Sequence, residues 1–95
     1  MDLREYELMY IVRPTVTEDQ IPTVTGRVGT IIGNLGGEVA EQAPWGKRRL
    51  AYQIQNHEDG NYVLAKIKLD PARTRDLEEQ LRIYDEVIRH MIVRL

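Results

Sequence analysis

The densest group of chemically active side chains is the pentapeptide Trp45-Gly46-Lys47-Arg48-Arg49. Lysine and arginine bind phosphates and displace their counterions, and a planar aromatic ring can stack on a nucleic-acid base. Three consecutive cations beside the only tryptophan therefore indicate a site for a phosphate backbone. The same charges would also protect an outer strand against aggregation, and the segment by itself favours neither interpretation.

The side chains needed for catalysis are scarce. The chain contains neither serine nor cysteine, which removes the commonest nucleophiles and any thiolate metal site. His57, in a predicted turn, and His90, in the last predicted strand, have no evident partner to orient them as a general base. Glu5 and Glu7 share a strand face, as glycoside chemistry would require, but solubilising charges explain them better. The sequence predicts no enzyme, no metal site and no cofactor.

Charge is distributed unevenly along the chain. The net charge is -2, which counts against simple attraction to a nucleic acid. Residues 1–46 carry three basic and seven acidic residues, whereas residues 47–95 carry ten basic and eight acidic residues. The second half is therefore net basic, and a local basic surface remains compatible with the overall charge.

Hydrophobic periodicity predicts six elements. Period-two alternation indicates strands, apolar residues three and four apart indicate helices, and capping residues mark the helix starts. Pro44 and Gly46 predict a bulge or bend at a sheet edge. The predicted elements are a strand over 4–12, a helix capped by Thr17 and extending to Leu35, a strand over 38–54, a turn over 56–61, a strand over 62–69, a helix over 71–83 and a strand over 85–95.

The order β-α-β-β-α-β favours a single α+β domain over residues 1–95. Its economical packing is a ferredoxin-like sandwich, with a four-stranded antiparallel sheet and both helices on one face. The residues expected to share the core are Tyr6, Leu8, Tyr10, Val28, Ile32, Leu50, Val63, Ile67, Leu77 and Leu81. The other face is expected to be uncovered and to carry a docking surface, which consists of Met9, Ile11, Tyr62, Leu64, Lys66 and Lys68.

Membrane and export segments are not predicted. The sequence has no run of about 18 or more apolar residues. Residues 1–14 are charged and alternating, unlike the apolar part of a signal peptide. A cytoplasmic location fits these features.

Three other protein classes share this topology. The RNA-recognition motif stacks bases on aromatic residues of its central strands, but residues 60–66 keep only one glycine and one tyrosine of its third-strand pattern. An amino-acid-binding ACT domain would place its ligand near residues 13–17, which lack the glycine expected there. A dimeric α+β barrel enzyme would pair the open faces of two sheets around a buried acid or base.

Four segments resemble the sixth protein of the bacterial small ribosomal subunit. They are REYELMYIVRP, GKRRLAYQI, DGNYVLAKIKL and LEEQLRIYDEVIRHMIVRL. They follow one another in the family's order and cover essentially the whole chain.

This resemblance implies a ferredoxin-like fold and a structural role in the ribosome. It implies binding to the central domain of the small-subunit ribosomal RNA, as a heterodimer with the eighteenth small-subunit protein. The positions that match cationic positions of the family, and are expected to bind RNA, are Lys47, Arg48, Arg49, Arg82, Arg89 and Arg94. The uncovered sheet face is expected to bind the protein partner through Met9, Ile11, Tyr62 and Leu64. No small-molecule substrate is expected.

Overall fold

The computed structural model describes residues 3–95. In this part the chain forms an antiparallel four-stranded sheet in the order β2-β3-β1-β4, with two α-helices. The strands are β1 (Arg4–Val12), β2 (Glu38–Ile54), β3 (His57–Leu69) and β4 (Val87–Arg94), and the helices are α1 (Ile21–Asn34) and α2 (Thr74–Ile83). The predicted element order and the ferredoxin-like α+β fold are confirmed.

The main hydrophobic core lies between the sheet and both helices. Side chains of a strand alternate between its two sides, so every second residue of β1 and β3 points toward the helices. Leu8 of β1 and Leu77 and Leu81 of α2 are completely shielded from solvent. Nine of the ten residues predicted for a common core lie here, namely Tyr6, Leu8, Tyr10, Val28, Ile32, Val63, Ile67, Leu77 and Leu81.

A partly buried chain of hydrogen bonds joins β1, β2 and α1 at the side of this core. The hydroxyl of Tyr10 donates a hydrogen bond to the side-chain oxygen of Gln42, and Gln42 Nε2 donates to the Thr25 carbonyl at 3.2 Å. Burial raises the pKa of Tyr10 above its ordinary value. The hydroxyl therefore stays protonated and continues to donate, which holds the outer strand β2 against α1.

Both helices begin at the predicted capping residues, although each starts with a short 3-10 turn. Gln20 Oε1 accepts a hydrogen bond from the Thr17 N–H at 3.3 Å, and Glu18–Gln20 precede α1. The Asp70 carboxylate accepts from the Ala72 N–H at 3.0 Å, and Pro71–Arg73 precede α2. These bonds satisfy N–H groups that a helix start leaves without an intrahelical acceptor.

The hairpin between β2 and β3 is longer than its sequence predicted. The predicted turn over 56–61 is wrong, because β3 already begins at His57. The turn is formed by Gln55 and Asn56, whose φ values of 49° and 68° match the two-residue turns that join antiparallel strands. Since Val12 at the end of β1 pairs with Asn61, the segment 57–60 extends beyond β1. The end of the hairpin is therefore free to bend across the sheet.

This hairpin end covers part of the face that was predicted to be open. Leu50 packs there with Ile11 and Ile88 in a second buried cluster, with Ile54 and Tyr62 against it. The prediction that Leu50 belongs to the main core is therefore wrong. Ile11 does lie on the face away from the helices, but it is only 3% exposed. Gly60 allows this approach, since its missing Cβ would lie 2.2 Å from Ile11 Cγ2.

Alanine at position 60 is expected to lower the free energy of unfolding by about 1–3 kcal/mol, because it would overpack this cluster. Ile11 is β-branched and has few rotamers with which to move away. Urea denaturation measures the change. Gly26→Ala is the matched control, since a Cβ at Gly26 meets no atom within 4 Å, and alanine inside α1 should add about 0.5–1 kcal/mol. A Gly60→Ala variant as stable as the native chain would contradict the packing over Ile11.

Candidate nucleic-acid interface

The three consecutive cations lie on the outer strand β2, directly after the predicted bulge. The register between β2 and β3 shifts between Pro44 and Gly46, which confirms the bulge. Lys47, Arg48 and Arg49 are all exposed. None of the three forms an ion pair with another residue of the described part of the chain. All three side chains are therefore accessible to an anion from solution.

Arg89 of β4 is connected to the hairpin through Tyr52. Arg89 Nη1 donates a hydrogen bond to the Tyr52 hydroxyl, and the guanidinium carbon lies 5.5 Å from the centre of the Tyr52 ring. Tyr52 lies two residues after Leu50 in β2, so the alternation of the strand places both on one face. Because Leu50 packs on Ile11 and Ile88, the hairpin crosses the sheet and Tyr52 lies against β4. This contact orients Arg89 while leaving it exposed.

Arg82, near the end of α2, adjoins the same region. Together with Arg89, His90 and Gln55 of the hairpin turn it lines a surface cavity of about 290 Å³. Burial lowers the pKa of His90; Glu78 opposes this shift and Arg82 adds to it. His90 is therefore neutral near pH 7, and the positive charge of this cavity comes from the two arginines.

Five of the six predicted RNA-binding cations thus lie at one end of the sheet. We call this surface the basic end, and its members are Lys47, Arg48, Arg49, Arg82 and Arg89. Arg94 lies elsewhere: it pairs with Tyr6, whereas Arg89 pairs with Ile11. At about 3.4 Å per residue, the five steps from Arg89 to Arg94 place Arg94 roughly 17 Å further along the sheet. The structure does not join Arg94 to the basic end.

The basic end also contains negative charge that is already neutralised. Arg13 Nη2 and Glu86 Oε2 are 2.8 Å apart, and Arg13 Nε donates to the same oxygen at 3.2 Å. This contact, in which two N–H groups of Arg13 donate to one oxygen of Glu86, joins the end of β1 to the start of β4. Glu86 therefore repels an approaching phosphate less than an unpaired carboxylate would.

The remainder of the open face carries apolar side chains between charged neighbours. We call this surface the apolar row, and its members are Met9, Tyr62, Leu64, Met91 and Val93. Met9 pairs with Leu64 on one side and with Met91 on the other, and Val93 lies beside them. Met91 is 50% and Val93 46% exposed, while Met9, Leu64 and Tyr62 are half-buried. Ile11 does not belong to this exposed row, because the hairpin covers it. The alternation of Met91 and Val93 along the last strand was the signal that could have added them to the predicted surface.

Lysines beside the apolar row are surrounded by carboxylates. Lys66 Nζ lies 4.0 Å from Glu41 Oε2, and Lys68 Nζ lies 3.8 Å from Glu38 Oε1. On the other side the same two lysines are paired in register with Glu7 and Glu5. Four carboxylates against two lysines leave this part of the face net negative. Its charge is therefore opposite to that of the basic end.

Neither a cluster of metal-ligating side chains nor a membrane-spanning helix is found in residues 3–95. No three or more histidine, aspartate or glutamate side chains in this range are grouped as metal ligands would be. No helix of the same range is long and apolar enough to cross a membrane.

The sequence is similar to ribosomal proteins along almost its whole length. The family model described as Ribosomal protein S6 matches residues 5–94. The chain belongs to the ribosomal protein S6 family. It is 39% identical over 92 residues to the small ribosomal subunit protein bS6 of Desulforamulus reducens, which covers 97% of both chains. The S6-family protein of Desulforudis audaxviator is 38% identical over 92 residues, covering 97% of this chain and 98% of the relative.

A solved S6 structure has the same fold. The crystal structure of 30S ribosomal protein S6 from Thermotoga maritima matches with a TM-score of 0.88 and 29% identity. The match covers 99% of this chain and 89% of the other. The chain is thus a protein of the small ribosomal subunit, located on the ribosome in the cytoplasm, and its family is structural and not enzymatic. This distinguishes it from the ACT domains and barrel enzymes of the same topology.

Proposed function

We propose that this S6-family protein binds the central domain of the small-subunit ribosomal RNA through its basic end, together with the eighteenth small-subunit protein. The observation that carries the proposal is the exposure of Lys47, Arg48 and Arg49 together with their lack of ion pairs. All three are exposed on an outer strand and have no ion-pair partner within residues 3–95. Unpaired cations in a row are the arrangement that neutralises successive phosphates.

The expected contacts are to the RNA backbone and not to base edges. The register places Lys47 opposite Asn61, Arg48 opposite Gly60 and Arg49 opposite Asp59, so successive cations point to alternate sides of β2. Side chains that point in two directions from an outer strand can follow the phosphates along the two sides of a groove. Arg89, held by Tyr52, and Arg82 extend this surface across the sheet. Arg94 would contribute from a separate position.

The protein partner is assigned to the apolar row. Met91 and Val93 are exposed on a sheet face that neither helix covers, and Met9, Leu64 and Tyr62 adjoin them. The surrounding carboxylates outnumber the lysines, which favours a basic partner. Glu38 and Glu41 already contact Lys68 and Lys66, so Glu5 and Glu7 are the carboxylates more available to that partner. Such a partner would add the positive charge that a chain of net charge -2 lacks.

We expect the protein alone to bind the RNA about 5- to 150-fold more weakly than in the presence of the eighteenth protein, the usual range for coupled binding. The RNA titration is carried out at one fixed salt concentration, with and without that protein. Met91→Glu should abolish the gain, because it places a charge in the apolar row.

Thr23→Glu is the matched control for that variant. It adds the same charge on an exposed position of α1, on the other side of the sheet, and should retain the gain. Equal RNA affinity in the presence and absence of the partner would contradict the proposed heterodimer. Absence of RNA binding in both titrations would contradict the RNA-binding function itself.

A further inference from the structure

Trp45 is exposed at the bulge in β2. Pro44 pairs with Val63 and Gly46 pairs with Tyr62, so Trp45 has no residue opposite it in β3. Its side chain is 53% exposed and belongs to neither hydrophobic cluster. A half-exposed tryptophan that contributes to no core is an unusual use of the largest apolar side chain.

The backbone on both sides of Trp45 is restricted. The pyrrolidine ring of Pro44 fixes the φ of that residue at about −65°. Gly46 has a φ of +87°, a conformation that other residues rarely adopt. The bulge therefore holds a half-exposed indole with little backbone freedom, so binding through it costs little ordering entropy.

The charges next to Trp45 define the kind of ligand that fits it. Lys47 and Arg48 follow within three residues and are free of ion pairs within residues 3–95. A basic protein partner would be repelled by this segment, whereas the face assigned to that partner is net negative. A ligand with negative charge and a flat apolar surface satisfies both features, and an unpaired nucleotide has both.

We propose that Trp45 stacks on an unpaired base of the RNA whose phosphates are bound by Lys47 and Arg48. The inference rests on the proposed RNA-binding function and adds the class of RNA: one with a bulged or looped-out nucleotide at this site. Bases within a continuous A-form helix are stacked on each other, and their faces are not available to a side chain. The stacking surface is on the outer strand, and thus differs from the central-strand stacking of the RNA-recognition motif.

The test uses the single tryptophan of the chain as a probe. The in-vitro transcript of the small-subunit RNA central domain is titrated into the protein with saturating eighteenth protein. The emission of the Trp45→Phe complex, recorded in the same way, is subtracted to remove any signal from the partner. Stacking on a base should quench the Trp45 emission when RNA is added, and the partner alone should leave it unchanged.

Affinities of two variants complete the test. Trp45→Leu keeps an apolar side chain but removes the ring, and should weaken RNA binding by about 5- to 150-fold. Trp45→Phe keeps a ring and should restore most of the affinity. Leu3→Ala is the control, because Leu3 is also a partly exposed apolar side chain but precedes the start of β1, far from the bulge in β2. This variant should bind RNA as the native chain does. Thermal unfolding of each variant verifies that it is folded.

Native affinity of Trp45→Leu would overturn the inference while leaving the proposed function intact. A blue shift of the Trp45 emission on addition of the partner alone would also overturn it, because the indole would then lie in the protein interface. Failure of the native chain to bind the RNA at all, even with the partner present, would contradict the proposed function and the inference with it.

Discussion

Replacing Lys47, Arg48 and Arg49 together by alanine is expected to weaken RNA binding roughly 100-fold, taking about 1 kcal/mol for each charged contact. The dependence of affinity on salt should fall by about three units of slope, since each lost phosphate contact removes roughly one. The reason is that these cations are exposed and have no ion-pair partner within residues 3–95. Filter binding at several salt concentrations measures both quantities.

A charge-matched control separates the effect of the basic end on RNA affinity from the effect of net charge. The triple variant of Arg4, Arg27 and Arg75 to alanine removes three exposed arginines from other parts of the chain. It changes the net charge by the same amount and should keep most of the affinity and the salt slope. If the variant of residues 47–49 also keeps full affinity and slope, these cations serve only to protect the outer strand. That variant should then associate through β2 in sedimentation experiments.

Leu81→Ala is expected to lower the free energy of unfolding by about 2–5 kcal/mol. Leu81 is completely buried between α2 and the sheet, and the truncation leaves a cavity in the main core. For a domain of this size the loss is a large part of the total stability, which is typically about 5–15 kcal/mol. Urea denaturation with a two-state fit measures it.

Ile83 provides the control on the same helix. It lies two residues beyond Leu81 and is 72% exposed, so Ile83→Ala should change the stability by no more than about 0.5 kcal/mol. A Leu81→Ala variant that unfolds at the same urea concentration as Ile83→Ala would contradict the assignment of α2 to the core.

The basic end shows how far local sequence could predict a binding surface. Lys47, Arg48 and Arg49 are adjacent in the sequence, so their grouping needs no tertiary contact. The bulge before them is also local, because Pro44 and Gly46 restrict the backbone. The approach of Arg89 to Tyr52 could not be predicted in this way. It connects residues 37 positions apart through a hairpin whose bending depends on Leu50 reaching Ile11 and Ile88.

By itself, the sequence determined the element order and the sides of β1 and β3 that face the helices. Alternation in strands and three-to-four spacing in helices reflect the geometry of a single element, so these features need no information from distant residues. The capping of both helices by Thr17 and Asp70 is equally local.

Only the tertiary structure decided where the hairpin ends and what it covers. Residues 57–60 have turn-forming composition, yet they continue β3, because pairing with β2 and the packing of Gly60 on Ile11 outweigh local preference. The same packing moved Leu50 out of the main core and removed Ile11 from the exposed apolar row. The register of β4 on β1 places Arg94 apart from the other five cations, because Arg94 pairs with Tyr6 and Arg89 pairs with Ile11. Such contacts join residues far apart in the chain, and their free energy depends on the shape of both partners, which no local pattern contains.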